Sequence, residues 1–145
     1  MGDISKNFSY SEFEDSAVAK KYGINNRIPS AEVRTAIDRL VLHVLQPLRD
    51  AYGKSLHINS GYRCKELNEH KEIGGVESSQ HRLGEAADIA CTIPYKLATL
   101  ALRLRLPFDQ MILYPNFVHF SHKAEGAQRG QVLYNRRYNG KKIKP

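Results

Sequence analysis

Between Ser30 and Tyr52 the residues Val33, Ile37, Leu40, Val41, Val44, Leu45 and Leu48 recur at steps of three and four, the spacing that lines apolar side chains along one side of an α-helix. No other segment of the chain is as regularly patterned. A helix with so wide an apolar stripe is stable only when a second layer covers it, so the rest of the chain must supply that layer. Ser30 is placed to cap the helix. Pro47 lies inside the pattern, where its missing N–H predicts a kink or an early end.

The remaining segments read as shorter elements. Ser9 with Glu12 three residues on gives a capping-box signature for one short helix over "YSEFEDSAVAKKY", and Gly23 is placed to end it. After Gly53, "SLHINSGYR" alternates as a strand and breaks at Gly61, while "KELNEHKEI" reads as a helix ending at Gly74 and Gly75. "AADIAC" fits a short buried strand, "PYKLATLALRLRL" a helix opened by Pro94, and "FDQMILY" and "FVHFSH" two strands joined by a Pro-Asn turn. Helices come first and strands cluster later, which predicts an α+β fold with a small, mostly antiparallel sheet and flanking helices. The 145 residues fit one domain, 1–145, with a basic tail over about 123–145.

The longest apolar runs are too short to cross a bilayer, so membrane insertion is not expected. The opening "MGDISKNFSYSEFEDS" is polar and acidic and lacks the apolar stretch of a secretory signal. The expectation is cytoplasmic synthesis, with any action outside requiring another route of release. A net charge of +7 favours an anionic partner, although "RRYNGKKIKP" equally fits a solvated tail. No nucleic-acid-binding motif accompanies the charge, so nucleic acid is not expected as a partner. Cys64 and Cys91 lie outside CxxC spacing and are expected as buried thiols, a single disulfide being the alternative.

Of the six histidines, His43, His57 and His70 fit surface or hydrogen-bonded core positions and are not expected to act. His81 and His119 differ, because each belongs with Asp88. The aspartate follows two alanines at a strand position, where an unpaired carboxylate is costly, so it should meet a cation. His119 alternates with Val118 and Phe120 and so points away from their apolar side. Two imidazoles and one carboxylate suit a zinc site that keeps a fourth position for water, and the single carboxylate leaves the metal a Lewis acid.

Ser79, His81, Gly84, Ala86 and Asp88 match in register the SxHxxGxAxD motif of the zinc D-alanyl-D-alanine metallopeptidases. The chain resembles that family from about Glu12 to His122, also through "INSGYR", the Gly74-Gly75 pair and "FDQMI" ahead of "VHFS". The group includes VanX-type dipeptidases, D-Ala-D-Ala carboxypeptidases and phage endolysin peptidases. The resemblance implies a fold shared with the hedgehog signalling domain and one Zn2+ per chain on His81, Asp88 and His119. It also implies that Arg63 holds the substrate or polarises its carbonyl. Ser79 is then divided between hydrogen bonding to substrate and shaping its loop, and Gly84 allows a turn or a close backbone approach.

The same resemblance implies a glutamate or aspartate shortly before the last histidine, acting as general base. Aligned through "FDQMI", that place is Tyr114, read here as substrate-binding, and Asn116, Phe117 and Val118 precede His119. Proton acceptance would then fall to His122 as the catalytic group or to zinc alone. Three residues past a ligand, His122 reaches the same face only if the strand bulges or ends after Ser121. The implied activity is zinc-dependent hydrolysis of peptidoglycan stem peptides or cross-links at the bacterial cell wall. The enzyme would be a D,D-carboxypeptidase or endopeptidase, acting as a monomer in the manner of a phage or prophage lysis enzyme. The alternative is a non-catalytic zinc-containing module of the same fold that binds wall or a protein partner.

Overall fold

In the computed structural model, which describes residues 2–143, the striped segment is a helical run from Ala31 to Tyr52. It begins as α3 (Ala31–Leu40), where the Ser30 hydroxyl accepts the Val33 N–H at 3.2 Å. A wider π turn, Val41–Leu45, follows, and α4 (Gln46–Tyr52) continues to Gly53, which takes the left-handed conformation. The proline therefore neither stops the helix nor ends it early. Because Pro47 cannot donate a hydrogen bond, the turn just before it widens by one residue, and Gln46 N–H reaches back to the Val41 carbonyl.

Ahead of this run lie α1 (Tyr10–Glu14) and α2 (Ala17–Tyr22). The single first helix expected from the sequence is thus two. Glu12 takes the Ser9 backbone N–H at 3.0 Å, and Ser16 then caps a fresh start by accepting the Ala19 N–H at 3.1 Å. A serine serves a helix better as its cap than in its interior, so the break falls there.

Five strands form one sheet in the order β1-β2-β4-β3-β5: β1 (Ile58–Ser60), β2 (Ala86–Ala90), β3 (Gln110–Leu113), β4 (Phe117–Ser121) and β5 (Gln131–Tyr134). The first three pairings are antiparallel and β5 runs parallel to β3. The mostly antiparallel α+β architecture expected from the sequence is present. One strand was not foreseen: β5 lies inside the segment read as a basic tail. It is short, with only Val132 and Tyr134 of its four residues turned inward, and its parallel partner lies 21 residues back in register.

Alternation divides the sheet into two faces. Ala87, Ile89, Met111, Leu113, Val118 and Phe120 are fully buried against Ile37, Leu40, Val41, Val44, Leu45 and Leu48 of the helical run. Leu97, Ala98 and Ala101 of α6 (Pro94–Arg103) join them. Each such leucine contributes about 2 kcal/mol by leaving water. The opposite face carries Asp88 and His119 and is free of this helical layer. The "KELNEHKEI" helix is shorter than expected, α5 spanning Lys65–Glu69 before turns lead to Gly74. Both cysteines are free thiols and only half-buried. Among the described residues no helix is long and apolar enough to cross a membrane.

Candidate metal centre

Asp88 and His119 sit directly opposite one another on β2 and β4, so an antiparallel register alone brings the carboxylate to the imidazole. His119 Nδ1 lies 2.9 Å from Asp88 Oδ1. The third group comes from a tight 3-10 turn, Gln80–Leu83, capped by the Ser79 hydroxyl, which accepts the His81 N–H at 3.2 Å. Gly84 closes that turn at φ 78°, and a Cβ there would stand 2.8 Å from the Val33 carbonyl of α3. Both the backbone sign and the contact require glycine.

His81 is almost wholly buried, with Nδ1 on the Gly61 carbonyl at 2.7 Å and Nε2 3.3 Å from Asp88 Oδ1. Donating Nδ1–H to a carbonyl leaves the Nε2 lone pair for a metal, the orientation that ligating histidines usually have. One ligand atom from each of His81, Asp88 and His119 lies within 4.8 Å of the others, and the three could hold a metal ion. Burial works against the charge on Asp88, but His81 and His119 outweigh it and hold its carboxyl well below the usual range. Burial pushes the His81 imidazole down in spite of Asp88.

Arg63 follows β1 and stands beside this group, its backbone N–H on the His81 carbonyl at 3.0 Å. Burial lowers its pKa while the charges of Asp88 and Tyr114 raise it. Its Nη1 donates to Asn68 at 3.2 Å, whereas Nε is buried without a partner. Part of the guanidinium fork is thus free to take an oxyanion or carboxylate. Asn68 is fully buried and anchored on the Val76 carbonyl at 2.8 Å. A Cβ on Gly75 would lie 2.0 Å from the Asn68 side-chain oxygen, so the second glycine of the pair makes room for this support. Sequence reading missed Asn68, and the Gly74-Gly75 pair was the only signal pointing towards it.

Tyr114, just past β3, stacks on Phe117 with ring centroids 4.1 Å apart. Burial and the Asp88 charge raise its pKa while Arg63 lowers it, so it belongs to the same electrostatic neighbourhood. His122 does not. Its N–H donates to the Glu85 carbonyl at 2.9 Å, which continues the β2–β4 ladder without a bulge. That turns its ring to the helical side, where Nδ1 meets the Pro107 carbonyl at 2.7 Å and the ring stacks on His43 at 5.2 Å. The structure brings His81, Asp88, His119, Arg63 and Tyr114 together, sets Ser79 as the cap of the loop, and leaves His122 on the other face.

A second network holds the loop from behind. Asp109 is fully buried and accepts from the Arg129 backbone N–H at 2.8 Å, from Arg129 Nη2 at 2.7 Å and from Gln80 at 3.1 Å. Gln80 immediately precedes His81, so residues of the C-terminal segment help fix the turn. Burial would raise the Asp109 carboxyl, but the Arg129 hydrogen bonds hold it down at about 2. A depressed carboxyl contributes stability that is complete above its unfolded pKa of roughly 4 and is lost as pH falls through the folded value. Asp109→Ala is expected to lower unfolding free energy in urea by about 2 kcal/mol, less than the roughly 3 to 5 kcal/mol of a fully buried broken pair. The half-exposed Arg129 partner, 43% accessible, is screened by water. The variant should also lose less stability than the wild type between about pH 4 and pH 2, because Asp109's share is gone. An unchanged urea midpoint would contradict this role.

A groove of about 810 Å³ lined by Val33, Arg39, Gln80, Glu85 and Arg129 opens behind the turn and contains none of the three ligand candidates. The chemistry sits instead on the sheet face. No curated protein matches the chain. A family model described as Peptidase M15 matches residues 6–123.

Proposed function

This chain belongs to the peptidase M15 family of metallopeptidases, and we propose that it is a zinc peptidase that hydrolyses peptidoglycan stem peptides or their cross-links. It would act as a D,D-carboxypeptidase or endopeptidase, in the setting of a phage or prophage lysis enzyme released to the wall. The reading rests on one observation: two imidazoles and a carboxylate converge within 4.8 Å beside an arginine whose fork is partly unengaged.

The donor set fits zinc. Nitrogen and oxygen donors of intermediate softness suit that ion, and three protein ligands leave a position open. When bound, the ion supplies Lewis acidity at a scissile carbonyl and lowers the pKa of a water towards neutrality. Arg63 grips the terminal carboxylate of a stem peptide or the oxygen that becomes negative during attack. Asn68 holds the guanidinium in place for that contact, and the fixed Nδ1 of His81 keeps its other nitrogen aimed at Asp88. Tyr114 offers a phenol where the resemblance places a carboxylate, and it hydrogen-bonds substrate. Among the described residues the cluster holds no second carboxylate, and Tyr114 stands where the resemblance places the usual base.

Incubation with defined muropeptides tests the reading. Release of a terminal D-alanine identifies a carboxypeptidase, and splitting of a cross-linked dimer identifies an endopeptidase. Tyr114→Glu is expected to raise turnover at least ~10-fold by restoring a proton acceptor, since general-base help contributes about 100- to 10,000-fold. If wild type and Tyr114→Glu both bind muropeptides and cleave none, the non-catalytic wall-binding module becomes the better account.

A further inference from the structure

The charge of this protein is confined to one place. Residues 123–145 contain seven Lys or Arg and one Glu, a net +6, while residues 1–122 contain fifteen Lys or Arg and fourteen Asp or Glu, a net +1. All but the first of those C-terminal residues lie beyond the family match. A loose solvated tail would leave such a segment without fixed contacts, but here residues 131–143 hold them. β5 ties it to the sheet, and Asn135 N–H donates to the Leu113 carbonyl at 2.9 Å. This starts the basic turn at the end of β3 that carries Tyr114.

The cations on the turn are held in position. Tyr134 and Tyr138 stack at 5.5 Å, Lys142 lies over Tyr134 at 5.3 Å, and Lys141 lies over Tyr95 at 4.9 Å. The Tyr138 hydroxyl donates to the Lys141 carbonyl, and Ile143 N–H donates to the Tyr134 hydroxyl at 2.8 Å. Cation–π contacts leave the ammonium charge intact while restricting the side chain. Arg136 and Arg137 are exposed, and neither they nor the two lysines form an ion pair among the described residues. Four uncompensated cations thus stand within seven residues on an ordered surface that packs beside α6.

We propose that Arg136, Arg137, Lys141 and Lys142 form a docking surface for a linear, non-aromatic polyanion, specifically a phosphodiester-linked polyol chain of the cell wall. The choice of wall as its source rests on the peptidoglycan reading above. Single-stranded nucleic acid is bound by open aromatic faces on which bases stack. On this surface the rings are already engaged, Tyr134 by Tyr138 and Lys142, Tyr138 by Tyr134, and Tyr95 by Lys141. Guanidinium forks match phosphate oxygens two at a time, and a flexible polyol backbone asks for nothing more. Docked there, the polymer would keep the protein at the wall.

The test is binding of the full chain to a lipid-free poly(glycerol phosphate), followed across salt concentration. Four phosphate contacts predict that log K falls with log salt at a slope near −3. Arg136→Ala combined with Arg137→Ala, whose wild-type side chains make no hydrogen bond or ion pair among the described residues, is expected to weaken binding at least ~10-fold at 0.1 M salt and to halve that slope. Its metal content and its cleavage of soluble muropeptides should stay at wild-type levels. Equal affinity of the double variant overturns the proposal, and so does single-stranded DNA of the same charge binding as tightly as the polymer. Failure of the peptidase reading would look different: no muropeptide cleaved, with polymer binding intact.

Discussion

His81→Ala and Asp88→Ala are each expected to reduce bound metal from about one ion per chain to a small fraction and to abolish turnover with it. Even partners one shell removed from a metal change affinity by about 10- to 100-fold, so deletion of a ligand itself should exceed 100-fold. His81 is the more informative position. Its Nδ1 is committed to Gly61 and its ring is buried, so no neighbouring donor can swing in to replace it. Asp88 lies between both rings, at 3.3 Å from His81 and 2.9 Å from His119. Its loss removes the only negative charge among the three. Full metal retention in both variants would refute the ligand assignment.

Arg63→Ala is expected to lower turnover about 100-fold or more while metal content stays at the wild-type level, the scale of removing one donor to a developing oxyanion. Arg63→Lys should be nearly as damaging. An ammonium cannot keep the bond to Asn68 and also present two parallel donors to a substrate oxygen pair. The contrast between the two measurements identifies the residue as a substrate group and not as part of the metal's support. Unchanged turnover in Arg63→Ala would show that the family's arginine role does not carry over to this chain.

What the sequence made legible follows from local periodicity. The helical stripe at Val33 to Leu48 and the alternation around His119 each depend on a few neighbouring residues, and both match the structure. The convergence of His81, Asp88 and His119 followed from a ten-residue motif plus one strand, and the β2–β4 register supplies the meeting. Features that depend on distant partners could not be read. Nothing near Gln131 announces that it will lie beside Gln110, nor that Arg129 will close on Asp109. Asn68 sits in an unremarkable polar helix and acquires its role only when Gly75 folds over it. His122 was a different case. Strand alternation already set it opposite to His119, and the unbroken ladder through Glu85 keeps it there. At Pro47 the early end is absent and the local signal appears as one π turn just before the proline, with the buried stripe continuing on both sides.

The proposed peptidase activity depends on one zinc ion held by His81, Asp88 and His119. Its most direct test is to strip metal from the protein with a chelator, remove the chelator, and add zinc back while following both bound metal and cleavage of a defined muropeptide. Cleavage is expected to be absent without metal, to rise with occupancy and to level off at about one zinc per chain. Cleavage that persists in the stripped protein, or full zinc occupancy with no cleavage of any stem peptide or cross-linked dimer, would contradict it.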